Sequence, residues 1–278
     1  MAARTVLHGV DEACPSSKMS ALLDRANHGS RIWDETIQRM FVFDGNHKLP
    51  FLADGGEYYS ASAPRLITDN FSQATLHTNW TVNKGTDAQC VNFVPTAADL
   101  GYVKGTTGDV GSGTAADAVS ITGPLNFKPS VSAVQFVARV KMDAVTNMAV
   151  FIGMHDTLAS TLEMPFTLSG TTFTSTATDG FGFLIDTAAT TDTIRCIGVA
   201  TDTDTAATDT ADAWAADTWK VFRLECTTAG SVRFYIDDVL VATIAACCTP
   251  TVFLCPIVAA VARTTTSKNC SVDFIACR

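Results

Sequence analysis

The sequence is short of the residues from which hydrolytic sites are usually built. It holds five glutamates, Glu12, Glu35, Glu57, Glu163 and Glu225, and no Glu-x-Asp-x-Glu run. A glycosidase needs two carboxylates flanking the scissile bond at a set separation, so glycoside hydrolysis has no sequence support. There is no G-x-S-x-G. Of five histidines, His8, His28, His47 and His77 precede the strand-rich part, and His155 stands in "GMHDT", so a nucleophile with a His base is not indicated. No C-x-x-C occurs among the nine cysteines, which makes a zinc site a poor reading of Cys247, Cys248 and Cys255. No apolar run approaches the length of a membrane span, and "MAARTVLHGVDEACPSSK" has no apolar signal-peptide core. The expectation is a chain folded under reducing conditions, its cysteines acting as small buried hydrophobes. The sequons at Asn70, Asn79 and Asn269 carry weight only in a secreted chain.

Hydrophobic residues make up 47% of 278 residues, enough for a sizeable core, and the net charge is −9. Residues 1–68 contribute 7 basic and 8 acidic side chains, and residues 69–278 contribute 12 and 20. So acidic a body repels phosphate backbones, and neither nucleic acid nor membrane is expected as a partner. Residues 1–68 read as an attachment arm. Ser17 caps "KMSALLDRAN", a short helix placing Met19, Leu22 and Leu23 on one face, and Gly29 ends it. "RIWDETIQRMF" reads as a second amphipathic piece. Leu22, Leu23, Ile32, Trp33, Ile37 and Phe41 are the candidate partner-binding residues.

From Thr68 onward the pattern is period-two alternation between turn signals. "VQFVARV" turns Val134, Phe136, Ala138 and Val140 inward, "KVFRLEC" turns Phe222, Leu224 and Cys226 inward, and "VDFIACR" turns Val272 and Phe274 inward. "FGFLID", "TIRCIGVA" and "SVRFYID" are further strands, and Pro256 suits an edge or a bulge. The fold class is all-β, an antiparallel β-sandwich over 69–278 behind an arm with a short helix. Asp237-Asp238, between two apolar runs, reads as a two-residue turn rather than a reactive pair. Asp202, Asp204, Asp209 and Asp212 crowd one loop and are weak calcium candidates without EF-hand spacing. "GDVGSGTAAD" lacks the Lys-Ser/Thr ending of a phosphate loop. Trp219, leading "KVFRLEC", is placed in the core; Trp214 is left open between core and sugar stacking.

"DGFGFLID", "WKVFRLECTTAGSVRFYIDDVLVATI" and the closing "CSVDFIACR" together resemble the concanavalin A-like lectin/glucanase jelly roll of LamG type, over about residues 69–278. The resemblance implies first and last strands lying side by side. Neither the glucanase motif nor a lectin metal-and-sugar constellation can be carried over residue by residue. In style the chain is similar to virion proteins of tailed bacteriophages, which implies a non-enzymatic capsid decoration protein. It would be located in the virion, without cofactor, bound through its arm to a major capsid protein or another virion protein, as a homo-oligomer of the trimeric kind. The alternative is a carbohydrate-binding module of a phage tail or surface adhesin, and a hydrolase stands third, because the fold hosts all of these.

Overall fold

The computed structural model describes residues 67–278 apart from 72–74, 97–100, 111–114, 158–163 and 206, and the backbone of four short strands before them. The chain divides into two compact units, Met1–Ala63 and Pro64–Arg278. In the first unit β1 (Glu12–Cys14) runs parallel to β2 (Arg31–Asp34), and β3 (Arg39–Phe43) and β4 (Lys48–Phe51) continue antiparallel. The amphipathic piece read in "RIWDETIQRMF" therefore contributes to two strands. Ile32 pairs with Phe41 and Trp33 with Met40 across two strands. β-branched and aromatic residues favour the pleated surface over the helix, and that preference wins here. The helix expected at Ser17–Asn27, with Leu22 and Leu23, and Ile37 lie outside the described residues.

The second unit begins with β5 (Ile67–Asp69), β6 (Thr81–Lys84), β7 (Val91–Pro95), β8 (Val103–Thr106), β9 (Ala118–Thr122) and β10 (Val134–Met142). There follow β11 (Met148–His155), β12 (Phe166–Ser169), β13 (Thr172–Ser175), β14 (Gly180–Asp186), β15 (Arg195–Ala200), β16 (Thr203–Asp204) and β17 (Thr208–Asp209). The last are β18 (Lys220–Cys226), β19 (Val232–Ile236), β20 (Val239–Ile244), β21 (Cys255–Ala262) and β22 (Asn269–Cys277). They form two facing sheets. The first runs β20-β19-β18-β10-β22-β8-β7, with β5 also on β22; the second runs β16-β15-β14-β11-β21-β9-β6, with β17 on β15. All these pairings are antiparallel, and first and last strands of the unit are neighbours. Among the described residues no helix is long and apolar enough to cross a membrane.

Alternation in β10, β18 and β19 sends Phe136, Ala138, Phe222, Leu224 and Phe234 into the space between the sheets. Phe183 of the opposite sheet meets Phe222 at 5.1 Å and Phe234 at 5.4 Å between ring centroids. Each such fully buried phenylalanine contributes about 1.5–3 kcal/mol. The eight described cysteines are buried and unpaired, several within this core. Burial pushes the thiols of Cys196 and Cys255 up to about 12, so they stay protonated and inert.

Two positions depart from simple alternation. In β22 the register shifts between Arg139 and Val140: Phe274 pairs with Arg139 and Val272 with Val140, leaving Asp273 unopposed. This bulge moves the inward phase from Val272 to Ile275 and Cys277, so Phe274 stands on the outer face. Pro256 lies in a central strand, not at an edge. It is tolerated as the second residue of β21 because pairing with β9 starts at Ile257, while the Pro256 carbonyl still accepts the Gly123 N–H at 2.8 Å.

Asp237 and Asp238 turn the chain between β19 and β20 with φ of 47° and 65°. Positive φ at both central residues is the turn whose twist matches a hairpin. Asp237 also accepts the Val221 N–H at 2.9 Å, whereas Asp238 makes only a 3.7 Å approach to Arg223. Asp238→Gly is expected to raise stability by about 0.5–1 kcal/mol, read as a higher urea midpoint, by relieving a left-handed conformation.

Candidate functional site

The two outer faces differ in kind. On the second sheet, β11, β14 and β21 are buried along their whole length on both faces. The hairpin β12–β13 covers the outer side, where Phe166 packs on Phe151 at 4.6 Å and stacks on Phe173 at 5.7 Å. Gly182 gives the Phe151 ring its place: a Cβ there would come within 2.6 Å of the ring. Met164, Leu168, Leu184, Ile197 and Val199 complete a second core. Asp186 ties the hairpin down. Its carboxylate accepts the N–H of Leu168 and of Ala188, each at 3.0 Å, and forms a buried ion pair with Arg263.

His155 stands at the end of this face, 7% exposed, with both ring nitrogens lacking a hydrogen-bond partner. Burial lowers its pKa to about 4, partly countered by Asp156, so the ring is neutral. The nearby Cys255 thiol donates to the His155 backbone carbonyl at 3.2 Å rather than to the ring, so no thiol–imidazole dyad is formed.

Among the described residues no element packs across the outer face of the first sheet, whose outward positions in β10 and β18 are half-buried. Odd-numbered positions of β10 and β18 point outward, which brings Arg139 and Lys141 beside Trp219, the residue just before β18. The Arg139 guanidinium carbon lies 5.1 Å, and the Lys141 ammonium 5.2 Å, from the indole centroid. Tyr102 meets the same indole edge-on at 5.8 Å. Further along, Arg223 lies over the Tyr235 ring at 3.6 Å. Glu225 accepts the Tyr235 hydroxyl at 3.0 Å and pairs with Arg223. Among the described residues Glu225 is the one glutamate with a described side chain, and the Arg223 that it pairs with also approaches the Asp238 carboxylate at 3.7 Å.

The sequence reading placed Trp219 in the core and left Trp214 open; the structure puts Trp214 in the core and Trp219 on the surface. Trp214 is 4% exposed. Its indole N–H donates to the Thr218 carbonyl at 2.8 Å and its ring meets Phe222 at 5.2 Å, so it cannot stack on a sugar. Trp219 is the half-buried surface aromatic. A signal for this was present: Trp219 is three residues before the inward Phe222, hence on the outward phase.

The four calcium candidates are not brought together. Asp202 sits on an exposed turn with φ of 58°. Asp204 accepts the Ser175 hydroxyl at 2.6 Å, Asp209 lies 3.4 Å from Arg195, and Asp212 lies 2.9 Å from Lys220. The Ala211 N–H holds the Asp209 carboxyl below its ordinary pKa. Among the described residues no three His, Cys, Asp or Glu side chains are grouped to hold a metal. Ile32, Trp33 and Phe41 are placed on β2 and β3, and no surface is assigned to them.

No protein-family model and no curated protein sequence matches the chain. Solved structures do. A Bacillus licheniformis beta-glucanase superposes with a TM-score of 0.55 at 11% identity, over 76% of this chain and 96% of that one. The fold is the concanavalin A-like jelly roll. An endo-acting O-glycanase expressed by members of the human gut microbiota to initiate mucin breakdown gives 0.53 at 10% identity, over 76% of this chain and 97% of its own. The Emp47p carbohydrate recognition domain gives 0.52 at 10% identity, over 76% and 93%.

These neighbours overturn the reading of the chain as a virion decoration protein. The three solved structures above are glycan-cleaving enzymes or a carbohydrate recognition domain, and none of the three points to a capsid. The composition behind that reading has a local cause. In the Thr/Asp-rich loop, the Thr205 hydroxyl donates to the carbonyl of Gly198 on β15 at 2.8 Å and the Thr210 hydroxyl to that of Ile194, just before it, at 2.7 Å. The loop thereby satisfies and shields a strand near the sheet edge.

Proposed function

We propose that this protein is a glycan-binding jelly roll that binds without cleaving, through Trp219 and Tyr102 on the outer face of the first sheet. The observation that carries the reading is the half-buried Trp219 indole beside Tyr102 on a sheet face that no hairpin crosses among the described residues. A flat aromatic offers its face to the C–H surface of a sugar ring while neighbouring polar groups reach the hydroxyls. The sealing of the opposite face by Phe151, Phe166 and Phe173 supports the choice of sheet. The similarity to a carbohydrate recognition domain and to glycan-cleaving enzymes supports the choice of ligand class. The engagement of Glu225 by Arg223 and the Tyr235 hydroxyl, which leaves it committed to the protein's own groups, supports binding without hydrolysis.

The test compares the two tryptophans on a glycan array. Trp219→Ala is expected to weaken glycan binding by about 2 kcal/mol, near thirtyfold, with an unchanged melting temperature. Trp214→Ala is expected to destabilise the fold by about 3–5 kcal/mol. Binding indifferent to Trp219, or reducing ends released from a bound glycan, would sink the proposal.

A further inference from the structure

We propose that the Trp219 end of this face selects polyanionic polysaccharides, chains whose sugar rings carry carboxylates or sulfates; this rests on the glycan-binding reading above. Outward positions of the first sheet carry Lys104, Arg139, Lys141, Arg223 and Arg233 against Glu225 and Asp273. Residues 69–278 as a whole hold 12 basic and 20 acidic side chains. One face of an acidic body is therefore basic, and such a concentration of charge orients and captures a polyanion.

The two ends of the face are not equivalent. At the Tyr235 end, Arg223 is neutralised by Glu225 and occupied by the tyrosine ring. At the Trp219 end, Arg139 pairs with Asp273 at 2.5 Å, while Lys104 and Lys141 have no carboxylate partner among the described residues. Both lysines pair in register with Ser271, one from each side of β22. Their backbones are thus two strand spacings apart, about 10 Å. Trp219 sits against Lys141 with Tyr102 at its edge. An extended polysaccharide lying across β10, β22 and β8 would stack a ring on Trp219 and present its acidic substituents to an ammonium on either side. Each charge-assisted contact of this kind is about twice as strong as a neutral one.

The acidic body disfavours a duplex phosphate backbone, which must neutralise many charges along its length. A second copy of the chain, offering its acidic surface to this basic face, is the competing occupant.

The experiment titrates the full-length chain with heparin (sulfated), polygalacturonate (carboxylated), laminarin (neutral) and double-stranded DNA at low and high NaCl, alongside Lys104→Gln, Lys141→Gln and Trp219→Ala. At least one anionic glycan is expected to bind ten times more tightly than laminarin, more weakly as NaCl rises. Each lysine change should cost about tenfold for that probe and leave any laminarin binding unaltered. Heparin alone, polygalacturonate alone, or both being bound assigns sulfate, carboxylate or either as the recognised group. Laminarin bound as tightly, with indifferent lysine variants, overturns the inference but not the glycan-binding reading; no glycan bound overturns both. DNA bound as tightly as the best glycan, or self-association in sedimentation that the lysine changes abolish, assigns the face to another occupant and overturns the inference.

Discussion

Replacing Asp186 by alanine is expected to cost about 3–5 kcal/mol of unfolding free energy, the largest loss from any single carboxylate described above. The side chain is fully buried and answers three groups at once: Arg263, the Leu168 N–H and the Ala188 N–H. Alanine leaves the guanidinium without its counter-charge and two backbone donors without an acceptor. The damage should be local in character. Leu168 belongs to the hairpin β12–β13, so the variant should release that hairpin first and expose Phe151 and Phe166 to a hydrophobic dye. Asp186→Asn retains an acceptor oxygen and should lose less. Urea unfolding of both variants checks this; a loss below 1 kcal/mol for alanine would mean that the clamp is not what holds the cover in place.

Acidification from pH 7 to pH 4 is expected to remove about 3 kcal/mol through His155 alone. The folded pKa of about 4 lies below the ordinary value of 6.5, with burial as the main cause. Above pH 6.5 the ring is neutral in both states and the contribution is whole. Between 6.5 and 4 the unfolded chain takes up a proton that the folded chain refuses, so stability falls as pH falls. His155→Leu should lose this share of the pH dependence. It should also gain stability at pH 7, because two buried nitrogens that lack partners disappear. A difference between wild type and variant that does not change with pH would sink this account.

The sequence made the sandwich legible because β10, β18 and β19 each bury one face, and alternation reports a one-sided strand directly. The second sheet was harder to interpret. "MAVFIGMH" and "CPIVAAVA" are continuous apolar runs, as strands buried on both faces must be, but a run does not say what covers its second side. That cover is β12–β13, whose "FTLS" and "TFTS" resemble the surrounding loops until Phe166 and Phe173 are seen to stack. The bulge at Asp273 left no mark in the alternation, so the inward phase was carried one residue too far, to Phe274. Phase alone located Trp219, and a preference for aromatics in cores misplaced it. Lys104 and Lys141 are far apart in sequence and meet across β22 only through register.

The pairing of β5 with β22 also decides how the jelly roll yields to a pull. Ile67 lies opposite Cys277 and Asp69 opposite Ile275, so both ends of the sandwich leave from one corner. Bonds in an antiparallel ladder run across the strands. Tension between those ends therefore loads them in sequence instead of together, and the strip peels. Only three register pairs hold β5, whereas β22 is held on its other side by the long ladder to β10, which begins at the same Cys277, so β5 yields first. Under load the molecule should shed its first strand early and keep the rest of the sandwich, and the aromatic face on it, intact.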